Sequence, residues 1–247
     1  MSTNDVGGCL HWTPPTRKAG NVPVAVDHLL RTPGRVALAG LVVAVACMLP
    51  LRAWRIGRLA ITALHEAGHA FAVLAVGGRV RAVHLRADTS GLTWHQGVQS
   101  RGGRLLVAAA GYPAPGLAGL AGAGLVATGH PSWWLAALAL LGAIEIVLWV
   151  RNFFGLVITV AAVGALCCCL AFAASTAVAV VAAATVWYVA LGGLRASVET
   201  RRERGVSDAG ELARATRLPA GCFRSAFVLV AALSAAGCAL VLFQLSP

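Results

Sequence analysis

Charged side chains are scarce: they make up 12% of the 247 residues, about half the ~25% of an ordinary soluble domain. With 58% hydrophobic residues and a mean hydropathy of +0.77, this scarcity excludes a water-soluble globular protein and marks a membrane-embedded one. Acidic residues are scarcer still, nine against 20 Lys and Arg. An excess of +11 raises nucleic acid as a partner, but the basic residues lie in the gaps between apolar runs and no aromatic-interleaved basic groove accompanies them. The excess therefore reads as membrane orientation, and no nucleic-acid partner is expected. Also missing is any Cys-x-x-Cys pair among the seven cysteines, which leaves neither a zinc-ribbon nor a thioredoxin motif nor a disulfide framework. Cys167, Cys168 and Cys169 fall about 100° apart round a helix, so they cannot converge on one ion and are read as small packing residues.

Apolar runs of spanning length consume nearly all of the chain, so its chemistry is expected inside a helix bundle. Residues 1–35 carry Pro14, Pro15, Pro23 and Pro33 among polar and basic residues and are read as a flexible cytoplasmic tail, not a cleavable signal peptide. Apolar runs follow at 36–51, 58–77, 105–128, 132–150, 153–173, 175–194 and 225–245. They predict an all-α polytopic membrane protein with about six to seven transmembrane helices, residues 36–247 forming one integral-membrane domain. If all seven runs cross and the tail is cytoplasmic, only Arg52, Arg55 and Arg58 fall outside, while the arginines of 79–104, Arg151 and those of 195–224 fall inside. That asymmetry predicts a multi-pass protein of the plasma (inner) membrane with a cytoplasmic N-terminus.

Between the second and third runs, Val83, Leu85, Leu92 and Trp94 alternate with polar residues around Asp88, Thr89, Ser90 and Gly91. The alternation predicts a short β-hairpin, with an exposed interfacial loop as the alternative. The third run holds Gly111, Gly116, Gly119, Gly122 and Gly124 with Pro113 and Pro115. Its glycines favour close helix packing, and its prolines predict a kink.

The second run contains His65-Glu66-Ala67-Gly68-His69, an HExxH sequence on a predicted helix. Residues four apart share a helix face, so both imidazoles can hold one zinc ion as two of its three protein ligands. Glu66, about 100° further round, reaches a water held by the metal and not the metal itself, the position of a general base. Two histidines and a glutamate within an apolar span cost several kcal/mol unless they face an ion, a polar partner or water. A polar cluster joining neighbouring helices is the competing reading.

These residues in a multi-span frame resemble the site-2-protease type of intramembrane zinc metallopeptidase, and more closely its compact B-like branch. The resemblance extends from about residue 58 to the C-terminus. It rests on His65 to His69 followed by Gly77-Gly78-Arg79-Val80, on the hairpin ending near Ser90-Gly91, on Ala110-Gly111-Tyr112, on Arg151-Asn152, and on Ser207-Asp208-Ala209 ahead of Leu218-Pro219. Better-known members of the class supply the third zinc ligand from an Asp-Gly pair, and no Asp-Gly occurs in this chain. Resemblance to the B-like branch points instead to Asp208, which would complete a His-His-carboxylate site. Two alternatives stay open: Asp208 or Ser207 as the N-cap of an amphipathic helix over 209–218, and the intramembrane Glu145 as ligand or proton carrier. Asn152 is read as orienting substrate or ligand, or as a helix-end residue. His84 and His95 are read as interfacial; nothing is assigned to His11, His28 or His130.

The resemblance implies Zn2+ as cofactor, His65, His69 and Asp208 as metal ligands and Glu66 as the catalytic residue of a metalloprotease, a hydrolase of intramembrane proteolysis. Its substrates would be membrane-embedded or membrane-proximal protein segments in the lipid bilayer. A helical substrate hides its carbonyls and must unwind before cleavage, and the Val80–Trp94 segment offers a strand edge for the extended stretch. No Gly-x-Ser-Gly or Gly-x-Gly-Asp motif is present, so serine and aspartyl mechanisms lack their residues. Two other classes stand beside this reading: a catalytically inactive membrane scaffold, and a small ion- or proton-coupled transporter. The oligomeric state is not legible.

Overall fold

The computed structural model describes residues 32–199 and 207–244; apart from its last residues, the expected tail lies outside them. Helix α1 spans Pro33–Met48 and α2 spans Leu51–Ala75. An antiparallel hairpin follows, β1 Arg79–Leu85 and β2 Gly91–Gln96. Then come α3 Arg101–Ala110, α4 Pro113–Ala127, α5 Pro131–Ile144 with a π-helical turn at Glu145–Trp149, α6 Phe153–Phe172 and α7 Ser175–Glu199. The short α8 spans Asp208–Thr216 and α9 spans Ala220–Gln244.

Local chemistry sets the breaks. Pro50 has no N–H to continue α1, and α2 leaves at 110° to it. The predicted kink in the third run is a 61° bend between α3 and α4, where Pro113 opens the new helix at a position whose N–H would be unused anyway. Ser100 caps α3 by accepting from the Gly103 N–H at 3.0 Å.

Among the described residues four helices are long and apolar enough to cross a membrane: Pro131–Trp149, Phe153–Phe172, Ser175–Glu199 and Ala220–Gln244. Counting each bent pair, α1 with α2 and α3 with α4, as one span brings the number to six. The chain is an integral membrane protein. The expected six to seven transmembrane helices compare with these four to six, and the runs at 36–51 and 58–77 form the first bent pair, with Arg52, Arg55 and Arg58 in the first turns of α2.

That end is fixed by polar contacts. The Met48 carbonyl accepts from the Arg195 guanidinium at 2.7 Å, Glu199 accepts from the Trp54 indole at 3.3 Å, and Arg58 pairs with Glu199 at 3.3 Å. A Cβ on Gly40 would overlap Ala183 and one on Gly192 would crowd Met48, so α1 and α7 run parallel in close contact. Arg52, Arg55 and Arg58 thus share an end with the termination of α7, and the chain enters α1 from the opposite end.

The core lies where α1, α4, α7 and α9 meet, around Ala44, Ala123, Val186, Ala190 and Cys238. Small residues permit it: a Cβ at Gly116 would overlap Ser234, and one at Gly119 would press on Ala190. Helix α6, which bears Cys167 to Cys169, is the least enclosed, with 11% of its apolar window buried.

The hairpin prediction holds, with Leu85 opposite Gly91, Val83 opposite Thr93 and a bulge between Val80 and Ala82. Its turn is tied by the Asp88 carboxylate, which accepts from the Ser90 hydroxyl at 2.7 Å and the Ser90 N–H at 3.0 Å. Those hydrogen bonds hold the Asp88 carboxyl below its usual range. Thr89 takes a left-handed φ of 70°, and its carbonyl accepts from the Thr62 hydroxyl at 2.8 Å, pinning the turn to α2.

A candidate metal centre at one end of the bundle

Helix α2 brings His65 and His69 one turn apart, with their Nε2 atoms 3.0 Å from each other. Val107 of α3 fixes one ring: His69 Nδ1–H donates to the Val107 carbonyl at 2.7 Å, which turns Nε2 toward His65. The His65 ring stands edge-on to Tyr112 at 4.6 Å between centroids, and Tyr112 stacks on Phe227 of α9 at 4.8 Å. Space for the two imidazoles comes from Gly111 at the α3–α4 bend, since a Cβ there would overlap both rings.

Asp208 completes the cluster. Its Oδ2 lies 3.2 Å from His65 Nε2 and 3.3 Å from His69 Nε2. The rival reading of the segment is met by its neighbour: Ser207 caps α8, its hydroxyl accepting from the Gly210 N–H at 3.3 Å, so the Asp208 carboxylate is not spent on the helix end. Helix α8 folds back onto the bundle by burying Ala209 and Leu212 against Ala108 and Phe227. Burial alone would push the Asp208 carboxyl up, but the two imidazoles outweigh it and hold it well below the usual carboxylate range.

The donor set fits a divalent cation. Asp208 Oδ2 is buried and makes no well-formed hydrogen bond, although two nitrogens stand close by. Its ligand atom and those of His65 and His69 lie within 4.8 Å of one another. Two imidazoles and one carboxylate are the protein ligands of an open zinc site, with a fourth position left for water or substrate. Glu145, the alternative third ligand, is not in this group; it lies buried in the π-helical turn.

Glu66 is turned toward the hairpin and is 5% exposed. Its Oε2 accepts from the Thr93 hydroxyl at 2.6 Å, and a Cβ on Gly91 would overlap its carboxylate. A cleft of about 500 Å³ opens over this constellation, lined by His65, Glu66, His69 and Asp208 together with Gly91, Thr93 and Tyr112. His95 also lines it, whereas His84 sits on β1 and His130 on the α4–α5 turn; His11 and His28 lie outside the described residues.

Asn152 has a defined place. It precedes α6 without capping it through its side chain. Instead its amide nitrogen donates to the Leu85 carbonyl at 2.6 Å and its amide oxygen accepts from the Leu85 N–H at 3.1 Å. With the Arg151 N–H donating to the Val83 carbonyl at 3.3 Å, this covers the outer edge of β1. Thr93 and the Val107 carbonyl are the contributors that motif reading left out, while Gly111, read as a packing glycine and as part of Ala110-Gly111-Tyr112, makes room for the rings. A period-two count from Gly91 places Thr93 on the face of β2 that meets α2.

No curated protein and no solved structure matches the chain, but the family model described as Peptidase M50B-like matches residues 38–238. Spanning the HExxH helix, the hairpin, the bend and Asp208 in a single match, it shows that the chain belongs to the peptidase M50B-like family, membrane metallopeptidases of the site-2 protease type.

Proposed function

We propose that the protein is a zinc-dependent intramembrane endopeptidase, with His65, His69 and Asp208 as metal ligands and Glu66 as general base. The observation that carries this reading is the convergence of three metal-ligating atoms from α2 and α8 within 4.8 Å, beside a glutamate oriented by a separate element. Zinc bound there would polarise both a water molecule and the substrate carbonyl. Glu66 takes the proton of that water as its oxygen attacks the carbonyl carbon, then delivers it to the amine nitrogen as the C–N bond breaks. Neutral imidazoles are required for ligation, so protons compete with the metal and occupancy falls at acidic pH.

Substrates on this reading are membrane-embedded or membrane-proximal protein segments that unwind before cleavage. Of the Val80–Trp94 segment expected to receive them, the β1 edge is taken by Arg151 and Asn152. Residues opposite one another in an antiparallel pair turn their backbone groups the same way, inward or outward. Since Val83 and Leu85 point outward, Thr93 and Gly91 present theirs at the other edge of β2, on the cleft side. An extended segment adding there lies alongside Glu66. The end of the bundle bearing Arg52, Arg55, Arg58, Arg195 and the arginines of 79–104 faces the cytoplasm by the positive-inside rule.

Substituting Glu66→Gln keeps the ligands and removes the base. Purified variant is expected to retain zinc at the wild-type level while turnover of a transmembrane reporter falls by about 100-fold or more. Unchanged cleavage would contradict the assignment of Glu66, and absence of cleavage in zinc-loaded wild type across a broad set of membrane segments would favour a scaffold.

A further inference from the structure

We infer that Thr93 is a positioning residue for Glu66, and that through it β2 couples the seat of the substrate to the orientation of the base; the inference rests on the peptidase reading. Three observations carry it. The Thr93 hydroxyl donates to Glu66 Oε2 at 2.6 Å and also lies 3.4 Å from the Glu66 carbonyl. Gly91, two residues earlier on the same face, leaves no room for a side chain between β2 and the Glu66 carboxylate. And the backbone groups of both residues turn toward the free edge of β2, because their partners Val83 and Leu85 turn toward Arg151 and Asn152.

One strand residue therefore faces two ways. Its hydroxyl fixes Oε2 of Glu66 while Oε1 packs against Gly91, and its N–H and C=O are placed to pair with an added strand. The strand is itself anchored where it leaves the turn, by the Thr62 hydroxyl on the Thr89 carbonyl and by Asn152 on Leu85, the β1 partner of Gly91. A segment bound at the edge is thus registered against Glu66 by the same residue that aims it. Outer-shell partners of this kind are worth about 10- to 100-fold in activity when removed.

The test compares Thr93→Val with Thr93→Ser. Infrared difference spectra of the metal-free protein, each background against its own Glu66→Gln counterpart, isolate the Glu66 carboxylate bands. The bands are expected to shift in Thr93→Val and to stay in place in Thr93→Ser. With zinc loaded, Thr93→Val should lower kcat by about 10- to 100-fold with KM and zinc content held, and Thr93→Ser should restore most of the loss. Unmoved carboxylate bands, or a change confined to KM, would overturn the inference. Wild type lacking zinc or cleavage would overturn the peptidase reading instead, and the infrared comparison would still decide whether Thr93 holds Glu66.

Discussion

At the scale of single residues the site depends on which atoms are left without ordinary partners. His69 spends Nδ1 on the Val107 carbonyl, Ser207 relieves Asp208 of capping, and Asp208 Oδ2 is buried without a well-formed hydrogen bond. Gly111 supplies the space that brings the rings and the carboxylate together. Gly111→Ala places a methyl group against both imidazoles, and zinc affinity measured by competition with a chromophoric chelator is predicted to fall by about 10- to 100-fold. An unchanged affinity would mean that the rings do not hold the metal in the observed geometry. HExxH was legible because its chemistry is local to one helix. Asp208 lies more than 130 residues away, and composition gave no sign of its approach; only resemblance pointed to it. Thr93 was overlooked because a single hydroxyl in a short strand carries no pattern until the strand's partner is known.

At the scale of elements, the hairpin and the proline-driven bend were both legible, the first from period-two alternation and the second from Pro113 and Pro115. What sequence did not convey is that β1 is covered from outside by Val150 to Asn152, which moves the available edge to β2. The second apolar run was counted as a return crossing, and α2 begins among Glu199, Arg195 and Tyr188 at the end where α7 terminates. Cysteine substitutions in a cysteine-free background test this arrangement. Arg52→Cys and Arg217→Cys are predicted to react with an impermeant maleimide from one side of the membrane and His130→Cys from the other. Labelling of positions 52 and 217 from opposite sides would restore the seven-crossing arrangement.

At the scale of the whole molecule, small-residue packing among α1, α4, α7 and α9 builds a bundle whose polar chemistry is gathered at one end. There α2, the hairpin, α3 and α8 enclose the cleft, and most of the arginines lie at the same end. Apolar run lengths made the membrane class and much of the span pattern plain. The folding of 207–216 back over the cleft was not, because it depends on Ala209 and Leu212 finding Ala108 and Phe227. The central claim is that α2 and α8 jointly hold one metal ion. Elemental analysis of detergent-purified protein at neutral pH, beside His65→Ala, His69→Ala and Asp208→Ala, tests it most directly. Near-stoichiometric zinc in wild type, lost in all three variants, is the predicted result; well-folded wild type without zinc, or full zinc in Asp208→Ala, would contradict it.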